Sequence, residues 1–212
     1  MYDVVLFDLD GTLTDSGEGI VNSVEYALEK MNIQVENREL LYKFVGPPLK
    51  ESFRKYFNVE DTDLGVKLYR EYFVQKGMFE NSVYDGVREV LAELKKAGKK
   101  LVVATSKPEE FSVKILKFFD LYDFFDVVAG ASLDETRTKK ADVIRYALEK
   151  ISVNNVKKIV MVGDRENDIM GAKENKLDSI GVLYGYGDLE ELTAAGATYI
   201  AKEPADIVQY IV

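Results

Sequence analysis

Asp8 and Asp10 stand two residues apart in Asp8-Leu9-Asp10-Gly11-Thr12, a glycine-opened turn entered from an apolar run. Two carboxylates so close can share one small region and still do different jobs. In one reading Asp8 attacks phosphorus while Asp10 gives a proton to the leaving oxygen. The alternative is a loop whose aspartates only cap and turn the backbone. A calcium loop of the EF-hand kind is excluded, because counting from Asp8 its sixth position would be Leu13 rather than glycine and its twelfth Gly19 rather than glutamate.

Three further clusters have the same form, polar groups directly after an apolar run. In Val102-Val103-Ala104-Thr105-Ser106-Lys107-Pro108 a strand ends in hydroxyls and proline opens a helix. Free amides and the positive end of the helix dipole there would receive a phosphoryl oxygen, with Thr105 and Ser106 as ligands; either hydroxyl could instead be a simple N-cap. In Thr138-Lys139-Lys140-Ala141-Asp142, Lys140 could neutralise charge on a nucleophile and a transferring phosphoryl group, or could be a surface lysine. In Met161-Val162-Gly163-Asp164-Arg165-Glu166-Asn167-Asp168, Asp164 ends a strand as Asp8 does, and Asp168 follows in the first helical turn, where a carboxylate also serves as a cap.

Composition removes competing chemistries. The 212 residues include no cysteine and no histidine. Thiolate nucleophiles, zinc-thiolate sites, serine-histidine triads and imidazole metal sites are therefore excluded, and acid-base work falls on carboxylates, lysine or tyrosine. Oxygen ligands suit a hard cation, Mg2+ above all. A net charge of -9 argues against nucleic acid as a partner. The basic stretch Lys95-Lys96-Ala97-Gly98-Lys99-Lys100 reads as a solvated helix end closed by Gly98. No apolar run approaches the roughly 20 residues of a membrane span, and Met1-Tyr2-Asp3 opens no export signal. A cytoplasmic protein, monomer or homodimer, is the expectation.

The elements that must position these groups alternate in type. Apolar strands are expected at Tyr2–Phe7, Lys100–Ala104, Phe125–Ala129, Lys158–Val162, Ser179–Leu183 and Thr198–Ala201, with helices at Val87–Ala97, Pro108–Phe119, Ala141–Ile151 and about Asp168–Asn175. Strands alternating with helices imply an α/β fold, a doubly wound parallel sheet whose ligands bind beyond the carboxyl ends of the strands. Residues 16–82 break the rhythm. They carry helical stripes at Ile20, Val21, Val24, Leu28 and Met31, and at Leu64, Leu68, Tyr72 and Phe73. The expected organisation is a catalytic core of residues 1–15 and 83–212, with a helical cap of residues 16–82 inserted after the first strand.

Four polar clusters in this order resemble the motifs of the haloacid dehalogenase superfamily, over essentially the whole chain. The resemblance implies a Rossmann-like core and matches Asp8 and Asp10 to the nucleophile and the acid-base aspartate. It matches Thr105 to the hydroxyl of the second motif. Lys140 matches the motif lysine, with Lys139 and Lys107 as substitutes, and Gly163, Asp164 and Asp168 match the fourth motif. It further implies Mg2+ held by Asp8, the Asp10 carbonyl and Asp164, with Asp168 supporting that shell. The inserted helices, Lys43 to Leu49 and Gly130 to Arg137 look like the phosphoglycolate-phosphatase-like branch. The implied function is a phosphatase of small phosphorylated metabolites, phosphoglycolate phosphatase-like or 5'-nucleotidase-like. Substrate choice would lie with Lys43, Gly46, Pro47, Lys50 and Arg54. A sugar phosphomutase or a pyrophosphatase is the enzymatic alternative; a phospho-acceptor or inactive binding module is the non-enzymatic one.

Overall fold

Val4–Phe7, the four-residue strand β1, is buried along its whole length. A strand this apolar needs cover on both faces, which a parallel sheet flanked by helices provides. The computed structural model describes residues 2–134, 136–151 and 158–212. Met1 and Glu135, which belong to segments singled out above, lie outside the described residues.

The chain divides into two units, Met1–Thr14 with Val83–Val212, and Asp15–Ser82. The first contains β4 (Lys100–Pro108), β5 (Val127–Ala131), β6 (Ile159–Gly163), β7 (Asp178–Val182) and β8 (Tyr199–Ala201), interleaved with α4 (Val87–Lys96), α5 (Glu109–Phe118), α6 (Lys140–Ile151), α7 (Glu166–Glu174), α8 (Leu189–Ala195) and α9 (Asp206–Ile211). The sheet order is β5-β4-β1-β6-β7-β8, and every neighbouring pair is parallel. This is the expected doubly wound α/β sheet.

Register does the positioning. Phe7 lies opposite Val103 on one side and Val162 on the other. Asp8, Thr105 and Asp164 therefore emerge at the same edge of the sheet, where neighbouring strands run on to opposite sides. Below that edge, Val4, Leu6, Val102, Ala104, Ala129 and Met161 pack against Val143, Ile144 and Ala147 of α6 and Ala172 of α7. Each fully buried aliphatic side chain of this kind stabilises the fold by about 1.5–3 kcal/mol.

Several expected boundaries move. β4 continues past Ala104 to Pro108, because Thr105 pairs with Gly130 and Pro108 with Ala131 across a register shift. Pro108 is consequently the N-cap of α5 rather than part of its first turn, and neither Thr105 nor Ser106 caps a helix. α7 starts at Glu166 rather than near Asp168, while α8 and α9 escaped the periodicity reading because they are only seven and six residues long.

The helix end at Lys95–Lys100 is also corrected in part. Gly98, at φ +75°, closes α4 as read, with its N–H donating to Lys95 O at 2.9 Å and that of Lys99 to Leu94 O at 3.0 Å. Lys99, however, is not solvated: it is buried, and its Nζ donates to the Tyr2 carbonyl at 2.8 Å. The turn aims its side chain back along the sheet, towards the start of β1.

The second unit holds α1 (Gly17–Lys30), a 3-10 helix (Arg38–Phe44), α2 (Leu49–Phe57), α3 (Thr62–Tyr72) and a π turn (Phe73–Gly77). α1 buries Ile20, Val21, Val24 and Leu28 as expected. Of the second stripe Phe73 is buried as expected, but within α3 the buried positions are Thr62, Gly65, Val66 and Tyr69, and Leu64 is exposed. Gly65 explains the shift: a Cβ there would stand 3.2 Å from the Phe53 ring, so α2 packs on the one position that offers no side chain. Two short strands, β2 (Thr14–Asp15) and β3 (Ser82–Val83), pair at the points where the chain passes between units. No helix among the described residues is long and apolar enough to cross a membrane.

Losing a buried charged hydrogen bond costs more than trimming an exposed lysine. Lys99→Ala is expected to lower Tm by about 2–4 °C, for a loss of about 1 kcal/mol, and Lys96→Ala to leave it unchanged. Equal Tm values in calorimetry would show that the Lys99 contact contributes nothing.

Candidate active site

Asp8 is fixed by the strand that delivers it. Its N–H continues the β1–β6 ladder by donating to Val162 O at 2.9 Å, and its Oδ1 accepts from the Leu9 amide at 2.8 Å. The chain then coils around one carbonyl: the amides of Thr12, Leu13 and Thr14 all donate to Leu9 O. Gly11 permits the turn on two counts, a φ of +79° and the absence of a Cβ that would sit 2.1 Å from Asp164 Oδ2.

Lys140, the first residue of α6, is buried beneath Asp8. Its Nζ lies 2.8 Å from Asp8 Oδ1 and 2.7 Å from Asp168 Oδ1 as ion pairs, and donates to the Ala104 carbonyl at 3.1 Å. Lys139 is exposed. Lys107, on β4, is buried against a different partner, Asp10, at 2.7 Å.

Asp164 follows β6 and is fully buried. Its Oδ1 accepts from the Thr12 hydroxyl at 3.2 Å, and its Oδ2 from the Tyr186 amide at 2.9 Å. Asp168 does two jobs at once: Oδ2 accepts from the Arg165 amide at 3.1 Å, capping α7, while Oδ1 meets Lys140. Thr105 is buried and its hydroxyl accepts from the Lys107 amide at 3.2 Å; Ser106 beside it is half-buried.

Asp8, Asp164 and Asp168 each present an oxygen, all within 4.8 Å of one another. The Lys140 ammonium thus stands between two of these carboxylates, Asp8 and Asp168, with Asp164 close by, and the excess negative charge is unstable in a low-dielectric setting. Burial, reinforced by Asp168 and Asp8, pushes Asp164 well above the usual carboxylate range. Burial also raises Asp8, against the opposing pull of Lys140. Lys140 is held above the ordinary lysine value: burial disfavours its charge, and Asp168 and Asp8 outweigh that. A donor set of hard oxygens with surplus negative charge fits a divalent hard cation.

The second unit contains the remaining predicted residues. Lys43 lies in the last turn of the 3-10 helix and is exposed; Gly46, at φ +99°, and Pro47 form the half-buried bend before α2; Arg54 is exposed on α2. Lys50 is paired with Asp63 at 2.6 Å.

Sequence reasoning missed the strap after β7. Tyr184-Gly185-Tyr186-Gly187 lies over the site's base: Cβ atoms at Gly185 and Gly187 would strike Gly11 O and Asp164 O at 2.3 and 2.0 Å. The signal was available, two glycines and two tyrosines directly after an apolar strand. It also missed the pairing of Lys107 with Asp10, since nothing in a linear pattern links residues 97 positions apart.

A family model described as haloacid dehalogenase-like hydrolase matches residues 5–182. The chain belongs to this family. Among haloacid dehalogenase-like relatives, a 5'-nucleotidase of Pseudomonas aeruginosa is 39% identical over 212 residues, covering 99% of this chain and 96% of the relative. The tyrosine-protein kinase PtkA of Mycobacterium tuberculosis is 39% identical over 197 residues, covering 93% of this chain and 67% of that protein. The crystal structure of a predicted phosphatase from Clostridium acetobutylicum superposes with a TM-score of 0.96 at 52% identity, covering 100% of this chain and 98% of that one.

Because the folded protein raises Asp164 above its unfolded value, its ionised form costs stability at neutral pH. Asp164→Asn is therefore expected to raise the Tm of the chelator-treated protein at pH 7 by about 2–4 °C, for about 1 kcal/mol. The gain should stay level while pH remains above the raised folded value, then shrink as pH falls through it towards the unfolded one, because only the folded wild type takes up the proton in that interval. A variant that melts lower at pH 7 would contradict the electrostatic account.

Proposed function

We propose that this chain is a magnesium-dependent phosphatase of small phosphate monoesters that works through an aspartyl-phosphate on Asp8. The observation that carries the reading is the Lys140 ammonium between Asp8 and Asp168, 2.8 and 2.7 Å away, within a group of three buried carboxylates. Membership in a hydrolase family and the likeness to a 5'-nucleotidase support it.

We assign Asp8, the Asp10 carbonyl and Asp164 as ligands of Mg2+, with Asp168 supporting them. Bound there, the ion would offset the repulsion between Asp8 and a phosphate dianion. An Asp8 oxygen attacks phosphorus, the bond to the leaving oxygen breaks, and Asp10 gives that oxygen its proton. Thr105, Ser106 and Lys140 receive the phosphoryl oxygens. Water then attacks phosphorus, Asp10 takes its proton, and Asp8 is released with inorganic phosphate. Residues 16–82 act as the cap, with Lys43, Gly46, Pro47, Lys50 and Arg54 as contacts to the rest of the substrate. Lys50 would have to leave Asp63 to serve.

Phosphoglycolate and nucleoside monophosphates are the preferred substrate classes. The name of the mycobacterial relative raises a second reading, phosphoryl transfer to tyrosine. One assay addresses both: phosphoglycolate, nucleoside monophosphates, sugar phosphates and pyrophosphate with Mg2+ or chelator, alongside ATP with a tyrosine peptide. Mg2+-dependent phosphate release is expected, reduced by about 10³-fold or more in Asp8→Asn. Full turnover by Asp8→Asn in chelator would sink the mechanism. Labelled tyrosine without phosphate release would favour the transferase, and return of label to a sugar phosphate would favour a mutase.

A further inference from the structure

We propose that Tyr184 is a positioning residue for the carboxylate of Asp164, acting through the turn at Thr12. The inference rests on the divalent-metal reading above, and names a residue outside the four motif clusters.

The Tyr184 hydroxyl donates to the Thr12 carbonyl at 3.0 Å, and the Thr12 hydroxyl donates to Asp164 Oδ1 at 3.2 Å. Tyr184 thus holds the backbone of the residue whose side chain holds the carboxylate. Two residues on, the Tyr186 amide donates to the other oxygen, Oδ2, at 2.9 Å. With a donor on each oxygen, the carboxylate plane is fixed, and both bonds are strengthened by its charge. The Tyr184 ring is itself set by an edge contact with Tyr84, centroids 5.1 Å apart at 65°, and the Tyr84 amide donates to Leu13 O at 3.2 Å. The strap and the turn therefore brace each other from both ends.

Asp164 sits among like charges, Asp8 and Asp168, which push its carboxylate away from the cluster. Orienting hydrogen bonds oppose that push, the role outer partners play for metal-ligating side chains. A tyrosine that only filled space would need its ring and not its hydroxyl.

The test is calorimetric titration of the full chain with Mg2+ alone, without substrate. Tyr184→Phe, which keeps the ring contact with Tyr84, is expected to bind Mg2+ about 3- to 10-fold more weakly, and Thr12→Val, which removes the direct donor, about 10- to 100-fold. Thr12→Ser, retaining the hydroxyl, should restore affinity. If Tyr184→Phe binds Mg2+ within about twofold of the unaltered protein while melting lower, the residue is only packing and the inference is overturned. If the unaltered protein binds no Mg2+, the metal reading of the previous subsection falls with it.

Discussion

Three carboxylates of like charge are buried within reach of one another at the edge of a sheet, and a single ammonium stands between two of them, Asp8 and Asp168. Folding places them there against their mutual repulsion, so every neighbouring feature must answer that cost. Lys140 pairs with Asp8 and Asp168 and donates to the Ala104 carbonyl. The amides of Leu9, Arg165 and Tyr186 and the hydroxyl of Thr12 supply the donors that the lysine cannot. A cluster left short of positive charge is a receptive site for a cation and for the phosphate that a cation brings.

The scaffold makes the cluster possible by register. Because β1 lies between β4 and β6, residues far apart in sequence leave the sheet at one height, and the helices that follow β5 and β6 begin at the same edge. Backbones then come close enough that side chains must be absent. Gly11, Gly163, Gly185 and Gly187 all lie where a Cβ would strike Asp164 or Asp168. The chemistry of the site and the glycine pattern around it are one constraint seen twice.

Buried lysines illustrate how placement decides role. Lys99, Lys107 and Lys140 are each buried, yet the first ties a helix end to the Tyr2 carbonyl, the second holds Asp10, and the third bridges Asp8 and Asp168. All three lie at or next to element boundaries. Only the acceptor that the fold sets opposite each one distinguishes them.

The amino-acid sequence alone determined the parallel α/β sheet and the edge at which Asp8, Thr105, Asp164 and Asp168 gather, because apolar strands and the residues ending them are local patterns. It also excluded thiol and imidazole chemistry, since composition is independent of fold. It singled out Lys140 but could not pair Lys107 with Asp10, detect Tyr184 or see Lys99 as buried. Those facts depend on pairings across 97, 172 and 97 positions, as Lys107 to Asp10, Tyr184 to Thr12 and Lys99 to Tyr2. The α3 face was likewise decided by Phe53 packing on Gly65, a contact between helices that periodicity within one helix cannot contain. For Asp8, sequence supplied the carboxylate and its place after a strand; tertiary structure supplied the ammonium beside it, because only the assembled sheet with α6 packed on it brings the start of α6 beneath the end of β1.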